Sequence, residues 1–111
     1  MKRKLAKEAN LVLEQHLREL RIEFDPEWKF YPNRRWKADY KIWPTGKAGE
    51  TTILVEIEGA IWTQGRHTRG SGYTKDLEKY RMAAALGYKV FRFSTQEVLD
   101  GTAKEFLRKW A

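Results

Sequence analysis

The sequence contains no cysteine and no long hydrophobic run, and these two absences exclude several classes of protein. Without cysteine the chain can form neither a disulfide framework nor a thiolate metal site, so zinc fingers are excluded. Polar residues such as Glu8, Asn10 and Glu14 interrupt the apolar residues near the N-terminus, and no stretch approaches the roughly 20 apolar residues of a membrane span. We therefore expect a soluble, intracellular protein without signal peptide or membrane association.

Acidic residues are also in short supply relative to basic ones. The 111 residues include 22 Lys and Arg against 15 Asp and Glu, which gives a formal net charge of +7. Such an excess favours a polyanionic partner, with nucleic acid first. Hydrophobic residues make up 41% of the chain, enough to form a core, and the length predicts a single domain over residues 1–111.

Apolar residues spaced by three and four predict two principal helices. The first covers residues 5–20 and has Glu8 at the margin of its apolar stripe and Glu14 on the solvated side. The second covers residues 73–86. Its expected apolar face consists of Tyr73, Leu77, Tyr80 and Ala84. Two capping-box patterns, at residues 94–97 and 102–105, predict two short C-terminal helices.

Alternating apolar and polar residues predict the strands. Asp25-Pro26 breaks the helical pattern, and a short strand and a turn are expected between Trp28 and Trp36. Strand 36–43 is expected to place Trp36, Ala38, Tyr40 and Ile42 on one face, and strand 52–58 follows after a hairpin connection. A strand–helix–strand order makes strands 52–58 and 88–93 parallel. The predicted fold is α/β, with a mixed central sheet flanked by helices.

Three carboxylates on neighbouring predicted strands are the residues that most clearly indicate a catalytic or metal-binding site. Glu56 and Glu58 project from one face of their strand, and a hairpin would bring Asp39 across from them. Neighbouring carboxylates repel, so such a cluster needs a shared proton, basic neighbours or a divalent cation, for which Mg²⁺ or Mn²⁺ is suited. A cation held in this way supports phosphodiester hydrolysis. The alternative is that Glu56 and Glu58 merely cover the solvent face of an edge strand.

Basic residues near these acids are candidates for phosphate contacts. Residues 59–72 contain four glycines and three basic residues but no acid, which predicts a mobile basic loop. Guanidinium groups offer paired donors to phosphate oxygens. The candidate nucleic-acid-binding residues are Arg34, Arg35, Arg66, His67 and Arg69.

Several strings, taken in order, resemble a known enzyme family. They are RWKAD at 35–39, VEIEG at 55–59, GRHTRG at 65–70, the KD and EKY segments at 75–80, and LGYKVFRF at 86–93. Together they resemble small phage endonucleases of the PD-(D/E)XK superfamily and, more distantly, archaeal-type Holliday junction resolvases and very-short-patch-repair-like nucleases. The resemblance covers residues 8 to about 99. It implies a restriction-endonuclease-like core.

The resemblance also implies roles for individual residues. Asp39 and Glu56 correspond to the metal-binding acids, and Glu8 is the candidate for a glutamate that many members have on their first helix. Glu58 stands where the family usually has lysine. Another residue must then orient water and offset charge, and the candidates are Lys75 and Lys79, with His67 behind them.

These expectations combine into a Mg²⁺- or Mn²⁺-dependent, structure-selective DNA endonuclease. Its most concrete form is a Holliday junction resolvase that acts as a homodimer, because two symmetric cuts need two active sites. A second hypothesis keeps the site but changes the substrate to mismatched, flapped or specific duplex DNA. A third is a basic DNA-binding protein without catalysis, since the usual lysine is missing. If the chain is encoded by a phage, we expect it in the host cytoplasm.

Overall fold

The computed structural model describes residues 2–44, 51–59 and 71–111, with side chains described for residues 7–44, 51–59 and 76–111. No helix within these ranges is long and apolar enough to cross a membrane. The elements are α1 (Lys2–Glu19), β1 (Glu23–Lys29), β2 (Lys37–Trp43), β3 (Ile53–Glu58), α2 (Ser71–Ala85), β4 (Lys89–Ser94), α3 (Thr95–Leu99) and α4 (Thr102–Leu107), followed by a 3₁₀ turn at Arg108–Trp110.

The four strands form one mixed sheet in the order β1-β2-β3-β4. β1 pairs with β2 and β2 with β3 in antiparallel fashion, whereas β3 and β4 are parallel. The predicted α/β class and the parallel pairing are therefore confirmed. The predicted hairpin connection and the predicted basic loop lie largely outside the described residues.

The larger core lies between one face of the sheet and helices α1, α3 and α4. Helix α1 contributes Ala9, Leu13 and Leu17, which recur every four residues and so form a single buried stripe. Their neighbours in the sheet and in the C-terminal helices are Tyr40, Ile42, Ile53, Val55, Phe93, Val98, Ala103 and Leu107. Helix α1 thus fixes the inner face of β2 and β3.

Helix α2 packs on the opposite face, where the predicted apolar face of the helix is wrong at two positions, although Tyr80 faces the sheet as predicted. Leu77 and Ala84 are exposed, and the buried alanine is Ala83, which belongs to a smaller core cluster with Leu54. The reason lies in the sheet below, because this face of β3 carries Glu56. The helix consequently turns polar side chains inward, Lys79 and Tyr80.

Strand β1 differs from the prediction at Asp25-Pro26, which lies inside the strand instead of ending a segment. β1 is an edge strand of the described sheet, where the missing N–H of a proline is tolerated. The next residue, Glu27, has a left-handed backbone (φ 51°). Trp36 and Ala38 pack in the smaller cluster, whereas Tyr40 and Ile42 belong to the larger one, so the prediction that these four residues share one face is wrong.

The C-terminus forms two short helices, as predicted, but only one of the two capping boxes is present. Ser94 and Glu97 cap α3 reciprocally through side chain and backbone. The N-cap of α4 is Gly101, with φ 88° and no side-chain cap, so the predicted box from Thr102 to Glu105 is wrong. Asp100 Oδ1 instead accepts a hydrogen bond from the backbone N–H of Thr102 at 2.9 Å.

Candidate active site

Asp39 and Glu56 lie side by side where the pairing of β2 with β3 ends. The register covers three pairs, the last of which joins Tyr40 to Val55. One residue further on, the backbone N–H of Asp39 donates to Glu56 Oε2 at 3.2 Å, and the backbone N–H of Ile57 donates to Asp39 Oδ2 at 2.7 Å. Each carboxylate is thus held by the backbone of the neighbouring strand. The predicted convergence of these two acids is confirmed.

Helix α2 supplies the cationic partner of Glu56. Lys79 Nζ donates to Glu56 Oε1 at 2.6 Å, and the Tyr80 hydroxyl donates to the same oxygen at 2.8 Å. The glutamate is only 5% exposed, so its charge depends on these donors. Of the two lysines proposed to replace the usual motif lysine, Lys79 therefore reaches the acids. Lys75 lies in α2, but its side chain is outside the described part of the chain.

Glu58 has a different partner, on the edge strand. Arg92 Nη2 donates to Glu58 Oε1 at 2.8 Å, and the Arg92 guanidinium lies 4.3 Å from the centre of the Tyr80 ring. Tyr80 therefore touches both the Glu56–Lys79 pair and Arg92, which joins the two ion pairs into one network. The interaction with Glu58 raises the pKa of Arg92 further, so this cation stays charged.

Tyr80 and Arg92 are site residues that the sequence analysis did not identify. The sequence offered one indication for Tyr80, because this residue directly follows Lys79, which was already a candidate site residue. Arg92 could have been found only from the parallel register, in which it lies beside Glu56 on the neighbouring strand.

Charge at the site is unevenly compensated. Burial raises the pKa of Asp39, the N–H of Ile57 opposes this rise, and the nearby negative charge of Glu56 adds to it. Burial and the Glu56 charge likewise raise the pKa of Tyr80, so its hydroxyl stays protonated and remains a donor. Among the described residues, Lys79 pairs with Glu56 and Arg92 pairs with Glu58, and Asp76 also lies near Arg92. With Asp39, acids outnumber these two cations at the site.

The two acids fit a magnesium-type site. Mg²⁺ is usually held by one or two carboxylates, and waters and substrate phosphates complete its coordination. Asp39 and Glu56 supply such oxygen ligands, and a divalent cation would offset both the burial of the Asp39 charge and its repulsion by Glu56, which together raise the pKa of Asp39. Within residues 2–44, 51–59 and 71–111, no group of three or more acidic or histidine side chains could hold a metal. The fit therefore depends on a pair of acids.

Two glutamates of α1 differ in their surroundings. Glu8 is exposed, and it does not form a group of three potential metal ligands with Asp39 and Glu56 in the part of the chain that the structure describes. Its metal-binding role stays a prediction. Glu14 was expected on the solvated side of the helix, but it is half-buried and accepts a hydrogen bond from the Tyr40 hydroxyl at 2.6 Å. That expectation is wrong, because α1 lies close enough to β2 for Glu14 to reach Tyr40.

The predicted phosphate-binding residues are only partly within the described chain. Arg34 and Arg35 are both exposed before β2, and Arg34 pairs with Glu78 of α2 at 3.5 Å. Lys41, two residues after Asp39, is instead buried against the rings of Trp28 and Trp43. Arg66, His67 and Arg69 lie outside the described residues.

We expect a double-mutant cycle to detect strong coupling between Glu56 and Lys79. Lys79→Met leaves a buried carboxylate unpaired and should lower the free energy of unfolding by about 3–5 kcal/mol. Adding Glu56→Gln should recover part of this loss, with a coupling of about 1–3 kcal/mol in urea unfolding. The matched control is the Glu19–Lys104 pair, which has a similar length of 2.7 Å but more exposed side chains. The Glu19–Lys104 pair should show a much smaller coupling energy. Equal coupling energies in the two cycles would show that burial does not strengthen the Glu56–Lys79 pair.

Because the pKa of Asp39 is raised, we expect Asp39→Asn to change how the stability of the protein depends on pH. Above the folded-state pKa the ionised carboxylate costs stability, and this cost disappears as the pH falls through that pKa towards the unfolded value near 3.8. An asparagine keeps an oxygen for the N–H of Ile57 but carries no charge. The variant should therefore be more stable than the wild type at pH 7, with a difference that shrinks as the pH approaches 4. A variant that is less stable at pH 7 would show that the ionised group stabilises the fold.

The comparisons with known proteins leave the site to be interpreted from its own geometry. The chain matches no family model, and no significant match was found among curated proteins or among solved structures. The resemblance to PD-(D/E)XK nucleases thus stays a prediction. The observations that bear on function are the paired carboxylates of β2 and β3 and the lysine of α2.

Proposed function

We propose that this protein is a divalent-cation-dependent DNA endonuclease with a restriction-endonuclease-like core, and that it hydrolyses phosphodiester bonds. One observation carries the proposal. Asp39 and Glu56 meet where two strands separate, and Lys79 contacts Glu56 at 2.6 Å. Paired carboxylates can hold a divalent cation that assists phosphodiester hydrolysis, and the adjacent lysine adds positive charge for a phosphate.

Asp39 and Glu56 would hold the cation, and Glu8 is the candidate third acid. A bound Mg²⁺ or Mn²⁺ supplies positive charge to a phosphate oxygen and lowers the pKa of a water. The protein's own contribution is to fix the acids. Backbone N–H groups orient both carboxylates, and the burial of Glu56 limits competing water.

Lys79 takes the role that a lysine at position 58 would have. Its ammonium group binds Glu56 at 2.6 Å, and its side chain is 17% exposed, so a phosphate at the carboxylates would lie close to this cation. There it can offset phosphate charge and orient the attacking water. Arg92 meanwhile neutralises Glu58, which would otherwise repel the DNA backbone.

The substrate is expected to be branched DNA, most concretely a four-way junction cut by a homodimer. The net charge of +7 favours association with phosphates, and Arg34 and Arg35 are exposed at the start of β2. A two-fold dimer would place two active sites on the two symmetric strands of a junction.

The test is cleavage of a labelled four-way junction and of a duplex with the same arm sequence, in Mg²⁺ and in EDTA. Wild-type protein should make paired nicks in the junction only when the cation is present. Asp39→Asn, Glu56→Gln and Lys79→Met should each lower the rate by about 100-fold or more, whereas Lys79→Arg should keep part of it. Glu19→Gln, which removes an exposed carboxylate far along α1, is the matched control and should cut normally.

Each alternative has its own outcome in the same assay. Equal cutting of duplex and junction would contradict junction selectivity but keep the nuclease. Salt-dependent binding without cleavage in Mg²⁺ or Mn²⁺ would contradict the nuclease and favour a DNA-binding protein. Cleavage that survives both Asp39→Asn and Glu56→Gln would show that the active site lies elsewhere.

A further inference from the structure

A small cavity lies on the flank of α2, beside the candidate active site. It has a volume of about 170 Å³. Its walls come from two segments, the β1–β2 connection with Tyr31, Arg34 and Trp36, and α2 with Glu78, Arg81 and Met82. Pockets for drug-sized ligands usually measure about 300–1,000 Å³, so this cavity suits a single planar ring system rather than a larger molecule.

Aromatic and cationic groups dominate the wall that comes from the β1–β2 connection. The Trp36 ring lies 6.3 Å from Phe30 in a stacked arrangement and 5.7 Å from Tyr31. The Arg34 guanidinium lies over the Trp36 ring at 4.8 Å from its centre. A guanidinium is a flat group that stacks on aromatic rings, and nucleic-acid bases stack on tryptophan in the same way.

The charges around the cavity suit a phosphate-bearing ligand. Arg34 and Arg81 are exposed cations, and Glu78 is the acid among the lining residues. The 3.5 Å contact between Arg34 and Glu78 is an exposed ion pair, with the two side chains 53% and 38% accessible. Such pairs contribute little to stability, so Arg34 can exchange this partner for a phosphate at small cost.

The cavity shares α2 with the candidate site, and its other wall is the connection that leads into β2. On α2, Lys79 and Met82 are three residues apart, a spacing that puts their Cβ atoms about 5–6 Å from each other. On the strand side, Trp36 precedes Asp39 by three residues, or about 10 Å of extended chain. A nucleotide in the cavity would therefore belong to a strand that also passes the carboxylates.

We infer that this cavity binds one unpaired base of a DNA strand, which stacks on Trp36 in place of the Arg34 guanidinium, while Arg34 and Arg81 contact the adjoining phosphates. The inference rests on the proposed nuclease function, because it names the part of the substrate that this site would recognise. A fully paired duplex offers no free base face, whereas a branch point or a single-stranded segment does. The cavity thereby supplies a physical basis for selecting DNA structure.

The experiment measures binding alone, by fluorescence anisotropy in EDTA, where a cation-dependent nuclease cannot cut. The probes are a labelled single-stranded oligothymidylate and a strand of equal phosphate number that consists of abasic sites. Wild-type protein should bind the strand with bases about 5- to 160-fold more tightly, the range for stacking of one base. The direct variant, Trp36→Leu, should abolish this difference.

Because Trp36 also contacts Phe30 and Tyr31, a second pair of variants keeps the test independent of folding. Ala85→Leu fills the cavity from its α2 wall, whereas Ala84→Leu adds the same side chain at a neighbouring exposed position outside the described lining. Ala85→Leu should lose the preference for bases, and Ala84→Leu should keep it. Arg81→Gln should weaken binding of both strands, more than the matched Arg108→Gln on the opposite side of the sheet.

Failure of this inference can be told apart from failure of the nuclease. Equal affinity of wild-type protein for both strands, or an unchanged base preference in Ala85→Leu, would overturn the base pocket while cleavage by the wild type stands. A base preference that depends on position 85, in a protein that cuts no DNA in Mg²⁺, would support the pocket and overturn the nuclease.

Discussion

The buried ion pair between Glu56 and Lys79 is the interaction on which the site depends. Glu56 lies in the middle layer of the molecule, below α2, where an unpaired carboxylate would be costly. Lys79 and Tyr80 compensate its charge, and they thereby fix how α2 sits on the sheet. A helix that packed through Leu77 and Ala84 would cover Glu56 with apolar groups. The polar contact therefore decides the rotation of α2, and the rotation places the cavity residues on the flank of the helix.

Much of the fold follows from patterns that the sequence displays. Strand alternation predicts that Glu56 shares a face with Asp39, and the strand–helix–strand order predicts the parallel pair β3–β4. Both are local or topological consequences of backbone geometry. The rotation of α2 and the reach of Glu14 to Tyr40 could not be predicted in this way. Both depend on which side chains of the sheet face each helix. The pattern within a single helix does not contain this information, because it arises only when helix and sheet pack together.

The site was predictable to a similar degree. The convergence of Asp39 and Glu56 followed from strand alternation and the hairpin, whereas Lys79 was one of two candidates that the resemblance suggested. Tyr80 and Arg92 required the register between strands and the orientation of a helix. Arg92 neutralises Glu58, so an acid is tolerated at this position.

The central claim is that Asp39 and Glu56 together bind a divalent cation, and thermal unfolding in Mg²⁺ tests it without any DNA. A cation that binds only the folded protein raises its stability by RT ln(1 + [Mg²⁺]/Kd), about 1.4 kcal/mol at ten times Kd. The measurement uses Ca²⁺-free buffer at constant ionic strength. Under these conditions Mg²⁺ should stabilise the wild type and should not stabilise Asp39→Asn. Equal responses of the two proteins, or no response of the wild type at millimolar Mg²⁺, would contradict it.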